Sequence, residues 1–287
     1  MRISELYNNK RKTIAFEIFP PRPEMPMDSL FSSIEGFKKL SPDYISVTYG
    51  AGGSQRGRTV EIASKLKNNY GIEAMCHLTC AGHSVEEIDE LLETIKKENI
   101  SNILALRGDP PINQPDFDFN KGAFKNADEL ITHIKKTDDF CIAAAAYLEG
   151  HSDSKRLSED RRYLKQKVDA GVDILVTQLF FDIRLYFDFL DRCAQMNINC
   201  PVIPGIMPIF NARIKTMTAR SGCSIPANLV LMIDKYQDSP EDLKKAGEEY
   251  AAYMIRELLD GGAPGIHLYT MNKLESTKNI LKLAGLR

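Results

Sequence analysis

The sequence predicts an α/β fold, a (β/α)8 TIM barrel, with a single catalytic domain over residues 1–287 and an extra helix between the seventh and eighth strands. Two observations carry this. Eight short apolar runs recur along 287 residues, their starts 31, 29, 29, 39, 32, 28 and 64 residues apart, and most of those spacings suit one strand, one helix and two short loops. The runs are nearly continuous in apolar residues, as strands covered on both faces are, while the stretches between them are amphipathic. A doubly wound open sheet is the alternative, but eight units favour closure.

The runs are Thr13–Ile18, Tyr44–Thr48, Glu73–Thr79, Asn102–Leu106, Cys141–Tyr147, Asp173–Leu179, Pro201–Ile206 and Gly265–Thr270. Between the third and fourth, Val85, Ile88, Leu91, Leu92 and Ile95 fall on one helical face, and Ser84 with Glu87 forms a capping box at its start. Gly171 stops the helix that ends near Asp169. Ile183, Tyr186, Phe189, Leu190 and Cys193 make the next stripe, and Leu243, Ala246, Tyr250, Met254 and Leu258 a later one. The 64-residue gap holds the extra helix, around Ala227–Tyr236, and Leu274–Leu283 closes the eighth unit.

Lysine plus arginine number 37 and aspartate plus glutamate 39, a net charge of −2. That argues against nucleic-acid binding by bulk charge. No apolar run is long enough for a membrane span, and the N-terminus lacks the apolar centre of a signal peptide. Six cysteines without dense pairing read as reduced thiols, most of them core, so a cytoplasmic enzyme or enzyme subunit is expected. The five histidines and Cys76-x-x-x-Cys80 do not form a zinc spacing, so no metal is expected.

In such a barrel the site lies at the carboxyl ends of the strands. Polar residues gather there: Glu17; Thr48; His77 and Thr79; Arg107-Gly108-Asp109; Tyr147, Glu149 and His151; Thr177-Gln178; Asn272-Lys273. Glu17 sits in Ile14-Ala15-Phe16-Glu17-Ile18-Phe19, so desolvation should raise its pKa toward that of a general acid. The alternative is a structural carboxylate paired with Arg22 or Arg107. Arg107-Gly108-Asp109 joins two charges to a glycine that lets a flat ligand approach, or else forms an internal ion pair at a turn. Gly50-Ala51-Gly52-Gly53-Ser54-Gln55 fails the dinucleotide fingerprint at its sixth position and reads as a βα connection. Phe180-Phe181 reads as core, or as lining for an aromatic ligand. Residues alone thus point to a barrel enzyme with an acid on its first strand and a flat, anionic ligand.

The same strand ends resemble the methylenetetrahydrofolate reductase family. The matching segments are Phe16-Glu17-Ile18-Phe19-Pro20-Pro21-Arg22, Ser46-Val47-Thr48-Tyr49-Gly50-Ala51, His77-Leu78-Thr79-Cys80, Ala105-Leu106-Arg107-Gly108-Asp109, Ala145-Ala146-Tyr147 through His151, Lys167-Val168-Asp169-Ala170-Gly171, Thr177-Gln178-Leu179-Phe180-Phe181-Asp182, Ile203-Pro204-Gly205-Ile206-Met207-Pro208 and Tyr269-Thr270-Met271-Asn272-Lys273. They run in the family's order across almost the whole chain, and the length matches the catalytic barrel alone.

The resemblance implies an FAD enzyme of one-carbon metabolism and methionine biosynthesis. It would reduce 5,10-methylenetetrahydrofolate to 5-methyltetrahydrofolate with hydride from NAD(P)H, usually NADH in bacterial-type members. Glu17 matches the general acid that opens the imidazolidine ring to a 5-iminium cation. Asp109 matches the aspartate near flavin and pterin. Thr48, His77, Arg107, Gly108, Tyr147, His151, Asp160 and Lys167 match FAD-contacting positions, as does Asp109. Gln178 matches a pterin contact, and Lys273 a position, often arginine, that holds the folate's anionic part. Tyr163 and Gln166 stand where some relatives have an asparagine and an arginine at the FAD, and Phe210–Ser224 departs from the family in the region facing the nicotinamide. The alternative reading is a catalytic subunit fed electrons by an iron–sulfur or electron-transfer partner. A non-redox lyase on the same scaffold and a non-catalytic folate- or flavin-binding module are further alternatives, and a homo-oligomer is left open under any of them.

Overall fold

In the computed structural model, residues 1–8, 12–22, 24–49, 56–110 and 117–286 are described. The glycine-rich segment 50–55 lies outside them. The strands are β1 (Thr13–Ile18), β2 (Tyr44–Val47), β3 (Glu73–Thr79), β4 (Asn102–Leu106), β5 (Cys141–Ala146), β6 (Ile174–Thr177), β7 (Val202–Ile203), β8 (Gly205–Ile206) and β9 (Gly265–Tyr269). All pair in parallel in the order β7-β6-β5-β4-β3-β2-β1-β9-β8. The predicted barrel is therefore present, with its seventh strand broken in two. Proline at 204 has no N–H for the ladder. Its first half, β7, pairs with β6 and its second half, β8, with β9. The break is bridged by the Pro204 carbonyl, which accepts from His267 N–H at 2.9 Å, and by Gly205 N–H, which donates to Thr177 Oγ1 at 2.9 Å.

Helices follow most strands: α2 (Asp28–Lys39), α3 (Arg56–Asn68), α4 (Val85–Lys97), α5 (Ala127–Thr137), α6 (Leu157–Asp169), α7 (Ile183–Gln195), α8 (Ile214–Ser221), α9 (Ala227–Tyr236), α10 (Pro240–Asp260) and α11 (Leu274–Leu283). The capping box on α4 is formed by both of its bonds, at 3.2 and 2.9 Å. The extra helix and the last helix have the bounds read from sequence. Two helices were not expected: α8, and the five-residue α1 (Ser4–Asn8) ahead of the first strand. No helix among the described residues is long and apolar enough to cross a membrane.

Period-two alternation along the strands makes two cores. One face packs on the helices through Phe16, Ile45, Ile103 and their like. The other fills the barrel with Ala15, Tyr44, Met75, Leu104, Ala143, Ile174 and Ile203, closed below by Ile3 and by Leu6 and Tyr7 of α1. Phe180 and Phe181 are about 1% exposed and belong to the helix-facing core, which rules out the ligand-lining alternative. At the lower rim, Asp43 accepts from Ile14 N–H and Asp173 from Ile142 N–H, so the carboxylates there complete backbone pairing. The filled lower barrel leaves the upper, carboxyl end as the open one.

Candidate functional site

One step above the inner core, the same alternation turns Glu17 into the barrel. It is met by residues from strands on both sides. His267 Nε2–H donates to Glu17 Oε2 at 3.0 Å, His77 Nε2 lies 3.6 Å from the same oxygen, and the Ser46 hydroxyl is 3.1 Å from His77 Nε2. Burial pushes the Glu17 pKa up, but the His267 hydrogen bond and the neighbouring His77 more than offset it. The carboxyl sits below its ordinary range. This corrects the expectation of a raised pKa. It also removes the arginine-paired alternative, since the partners are histidines. His77 is pushed down to about 4 by burial, so at neutral pH it is the uncharged imidazole.

Above this layer is a chamber of about 340 Å³. It brings together eleven residues singled out in the sequence: Glu17, Thr48, His77, Thr79, Arg107, Gly108, Asp109, Tyr147, His151, Thr177 and Gln178. Gly108 has φ +86°, and a Cβ there would meet the Thr79 Cβ at 2.8 Å, so only glycine lets the turn lie this close to the chamber wall. Gln178 is held by its own Oε1, which accepts from Leu179 N–H at 2.9 Å. Tyr269 reaches across under the chamber and donates from its hydroxyl to the Thr177 carbonyl at 2.9 Å.

A second chamber of about 540 Å³ opens from the first, sharing Arg107, Tyr147 and His151 and lined further out by Phe119, Asn126, Tyr163 and Lys167. Lys167 Nζ donates to the Ala145 carbonyl at 2.6 Å. Burial pushes its pKa down to about 8, with Asp160 pulling weakly the other way. Asp160 also lines this chamber, and it organises the loop after β5: its Oδ1 accepts from His151 N–H at 3.0 Å and from the Ser154 hydroxyl at 3.2 Å. Arg107 is paired with Asp153 at 2.9 Å and lies over the Phe119 ring at 4.4 Å. Its partner is thus not Asp109, as an ion pair within the turn would require.

Lys273 stands outside these chambers, its Nζ 4.2 Å from the centre of the Phe210 ring. A third cavity, about 880 Å³, runs from Asp109 and Gln178 toward Arg213 on the flank of α8. Sequence reasoning missed His267 and Ser46 as site residues, and named Tyr269 only as the end of the eighth strand, with no role. Their signal was position: each lies an even number of residues from an inward-facing neighbour on its strand. No group of three or more metal-ligating side chains occurs among the described residues.

Comparison with known proteins agrees with the strand-end pattern. The family model for methylenetetrahydrofolate reductase matches residues 2–285. A rice protein, "Probable methylenetetrahydrofolate reductase (NADH)", is 39% identical over 297 residues, covering 99% of this chain and 50% of its own. The 5,10-methylenetetrahydrofolate reductase of Escherichia coli K12 is 36% identical over 277 residues, covering 96% of this chain and 91% of its own. That of Pectobacterium carotovorum is 35% identical over 280 residues with the same coverages. The chain thus spans about half the length of the plant relatives. Among solved structures, an uncharacterized protein from Clostridium thermocellum, described as binding two copies of 5-methyl-5,6,7,8-tetrahydrofolic acid, superposes with a TM-score of 0.67 over 98% of this chain and 97% of its own. At 15% identity that likeness is one of fold.

Proposed function

The chain belongs to the methylenetetrahydrofolate reductase family, and from that premise we propose that residues 1–287 form one catalytic barrel that reduces 5,10-methylenetetrahydrofolate to 5-methyltetrahydrofolate, using bound FAD and NADH. The observation that carries this reading is the pair of joined chambers, one with a carboxyl beneath it and one with a half-buried ammonium in it.

The residues fit a flavin dinucleotide. Lys167 is a half-buried cation lining the second chamber, hydrogen-bonded to a neutral carbonyl, which suits a phosphate oxygen. Arg107 adds a second cation where the chambers meet, and Gly108 allows close backbone approach. Thr48, His77, Tyr147, His151 and Asp160 complete the proposed contacts. Bound there, FAD would supply hydride transfer between a nicotinamide and the folate.

The protein's own work is binding, orientation and one proton. Asp109 and Gln178, which line both the first chamber and the third cavity, hold the pterin by hydrogen bonds. Lys273 faces the anionic tail as a point charge. Glu17 in the open chamber is a carboxylate. A flat ligand over it strips its water, which pushes its pKa up against the His267 hydrogen bond, and it takes up a proton. It delivers that proton to the substrate nitrogen whose bond to the bridging carbon breaks, leaving an iminium carbon that accepts hydride. The NADH in the names of the plant relatives favours NADH as donor, and free cysteines suit a cytoplasmic location.

The test is a steady-state assay of the FAD-loaded protein with NADH and 5,10-methylenetetrahydrofolate, with 5-methyltetrahydrofolate measured by chromatography. Product formation supports the reading. Product with a reduced viologen dye but not with NADH moves the reading to the subunit fed by an electron-transfer partner. No product with either donor overturns it.

A further inference from the structure

The chain leaves β9 through two consecutive residues with left-handed backbones, Met271 at φ 51° and Asn272 at φ 54°. That region is unfavourable for any residue with a Cβ, less so for asparagine than for methionine. Two in a row persist only where surrounding bonds hold them. Those bonds run to the strand that carries Glu17. The Asn272 side chain brackets one residue of it: Phe19 N–H donates to Asn272 Oδ1 at 3.1 Å, and Asn272 Nδ2–H donates to the Phe19 carbonyl at 2.8 Å. Asn272 N–H in turn donates to Thr270 Oγ1 at 3.1 Å, and Thr270 donates to the Glu17 carbonyl from both its hydroxyl, at 2.7 Å, and its N–H, at 3.2 Å.

The place of this clamp is informative. The β1–β9 ladder ends at the Glu17–Tyr269 pair. Two prolines, Pro20 and Pro21, follow Phe19, and neither has an N–H to give. Phe19 is therefore the last position before them where both backbone groups can be held. A side chain continues the pairing where the backbone ladder stops.

We propose that Asn272 is a positioning residue for the acid. By fixing the peptide two residues beyond Glu17, and through Thr270 the Glu17 carbonyl itself, it sets where the carboxyl stands in the chamber. This rests on the proposed role of Glu17. Asn272 touches neither the flavin nor the folate in this account. It acts through the backbone, and it matters to the step that needs the proton and not to the step that loads the flavin.

The test uses the FAD-loaded full chain and Asn272→Gly, which accepts the left-handed backbone but removes the clamp. Asn272→Asp keeps the acceptor for Phe19 N–H and loses the donor. In the glycine variant, flavin content and the rate of flavin bleaching by NADH should stay within about twofold of wild type, whereas kcat for folate-driven reoxidation should fall about ten- to a hundredfold, as displacement of a catalytic group does. The folate KM should change little, and the pH profile of reoxidation should move. The aspartate variant should recover part of the loss. Wild-type reoxidation in the glycine variant overturns the proposal. So does an equal loss in both half-reactions, which marks a merely structural role, or a loss confined to folate KM, which marks an effect through Lys273. If the glycine variant does not fold, the aspartate variant carries the same readouts. If the wild-type flavin is not reoxidised by the folate at all, the reading of the whole site fails, and this inference with it.

Discussion

Lys167→Met should make the protein more stable and a worse flavin binder. Methionine keeps an apolar stem of similar length and removes the ammonium. Burial holds that ammonium at about 8, against about 10.5 for an exposed lysine. Keeping the charge in the folded state at pH 7 therefore costs about 3 kcal/mol, at about 1.4 kcal/mol per pKa unit. The cost is fully present below pH 8 and is relieved as pH rises toward 10.5. Loss of the hydrogen bond to the Ala145 carbonyl returns about 1 kcal/mol of it. Urea unfolding of the flavin-free variant at pH 7 should thus show a gain of about 2 kcal/mol. Flavin binding should move the other way. A hydrogen bond from a cation to a phosphate is worth about 1.5–3 kcal/mol, so Kd for FAD, read by flavin fluorescence, should rise about ten- to a hundredfold. The wild type should also lose affinity as pH rises above 8, about tenfold per unit, because binding must then supply the missing proton, while the variant shows no such slope. A variant that binds FAD with wild-type affinity, or one that is less stable than wild type, refutes the assignment of this charge to the cofactor.

Glu17→Gln should keep bound flavin and its reduction by NADH and lose about 10²–10⁴-fold in folate reduction, measured by stopped-flow reoxidation; wild-type reoxidation would overturn the acid assignment. Asp109→Asn should slow folate reduction and, because it removes a carboxylate that lines the chamber beside the proposed flavin, shift the flavin midpoint potential in a dye-equilibration titration; an unchanged potential would contradict that placement. His77 is held at about 4 when folded and titrates near 6.5 when unfolded. Its contribution is therefore present above pH 6.5 and is lost as pH falls toward 4, by up to about 3 kcal/mol in all. Flavin-free His77→Gln should show a flatter decline of urea stability between pH 6.5 and 4.5 than wild type, and parallel curves would contradict the buried neutral imidazole.

Much of the barrel was legible because its strands are covered on both faces. Thr13–Ile18, Glu73–Thr79 and Asn102–Leu106 have the bounds that their apolar runs predict. The seventh strand was read as one run because nothing local says which neighbour each side of Pro204 pairs with; that is decided by closure of the barrel. The α1 helix has only five residues, too few for a periodic pattern, and its purpose, plugging the barrel floor with Ile3, exists only once the barrel is closed. At the site, knowing the fold class told where to look, so Glu17, His77, Arg107, Asp109 and Gln178 were found as strand-end residues, and they do line one chamber. The charge state of Glu17 was misjudged for a related reason. Its neighbours in sequence are apolar, but its neighbours in space are His77 and His267, the latter 250 residues away. Asp153 escaped notice as the partner of Arg107 because it is exposed and 46 residues distant.

The central claim is that one flavin in this barrel is loaded by NADH and emptied by the folate. An anaerobic titration of the FAD-loaded protein with NADH, followed at the oxidised-flavin absorbance, tests it most directly. The account predicts bleaching by NADH and full return of the absorbance on adding 5,10-methylenetetrahydrofolate, with 5-methyltetrahydrofolate formed in equal amount. A reduced flavin whose absorbance stays bleached when the folate is added would contradict it.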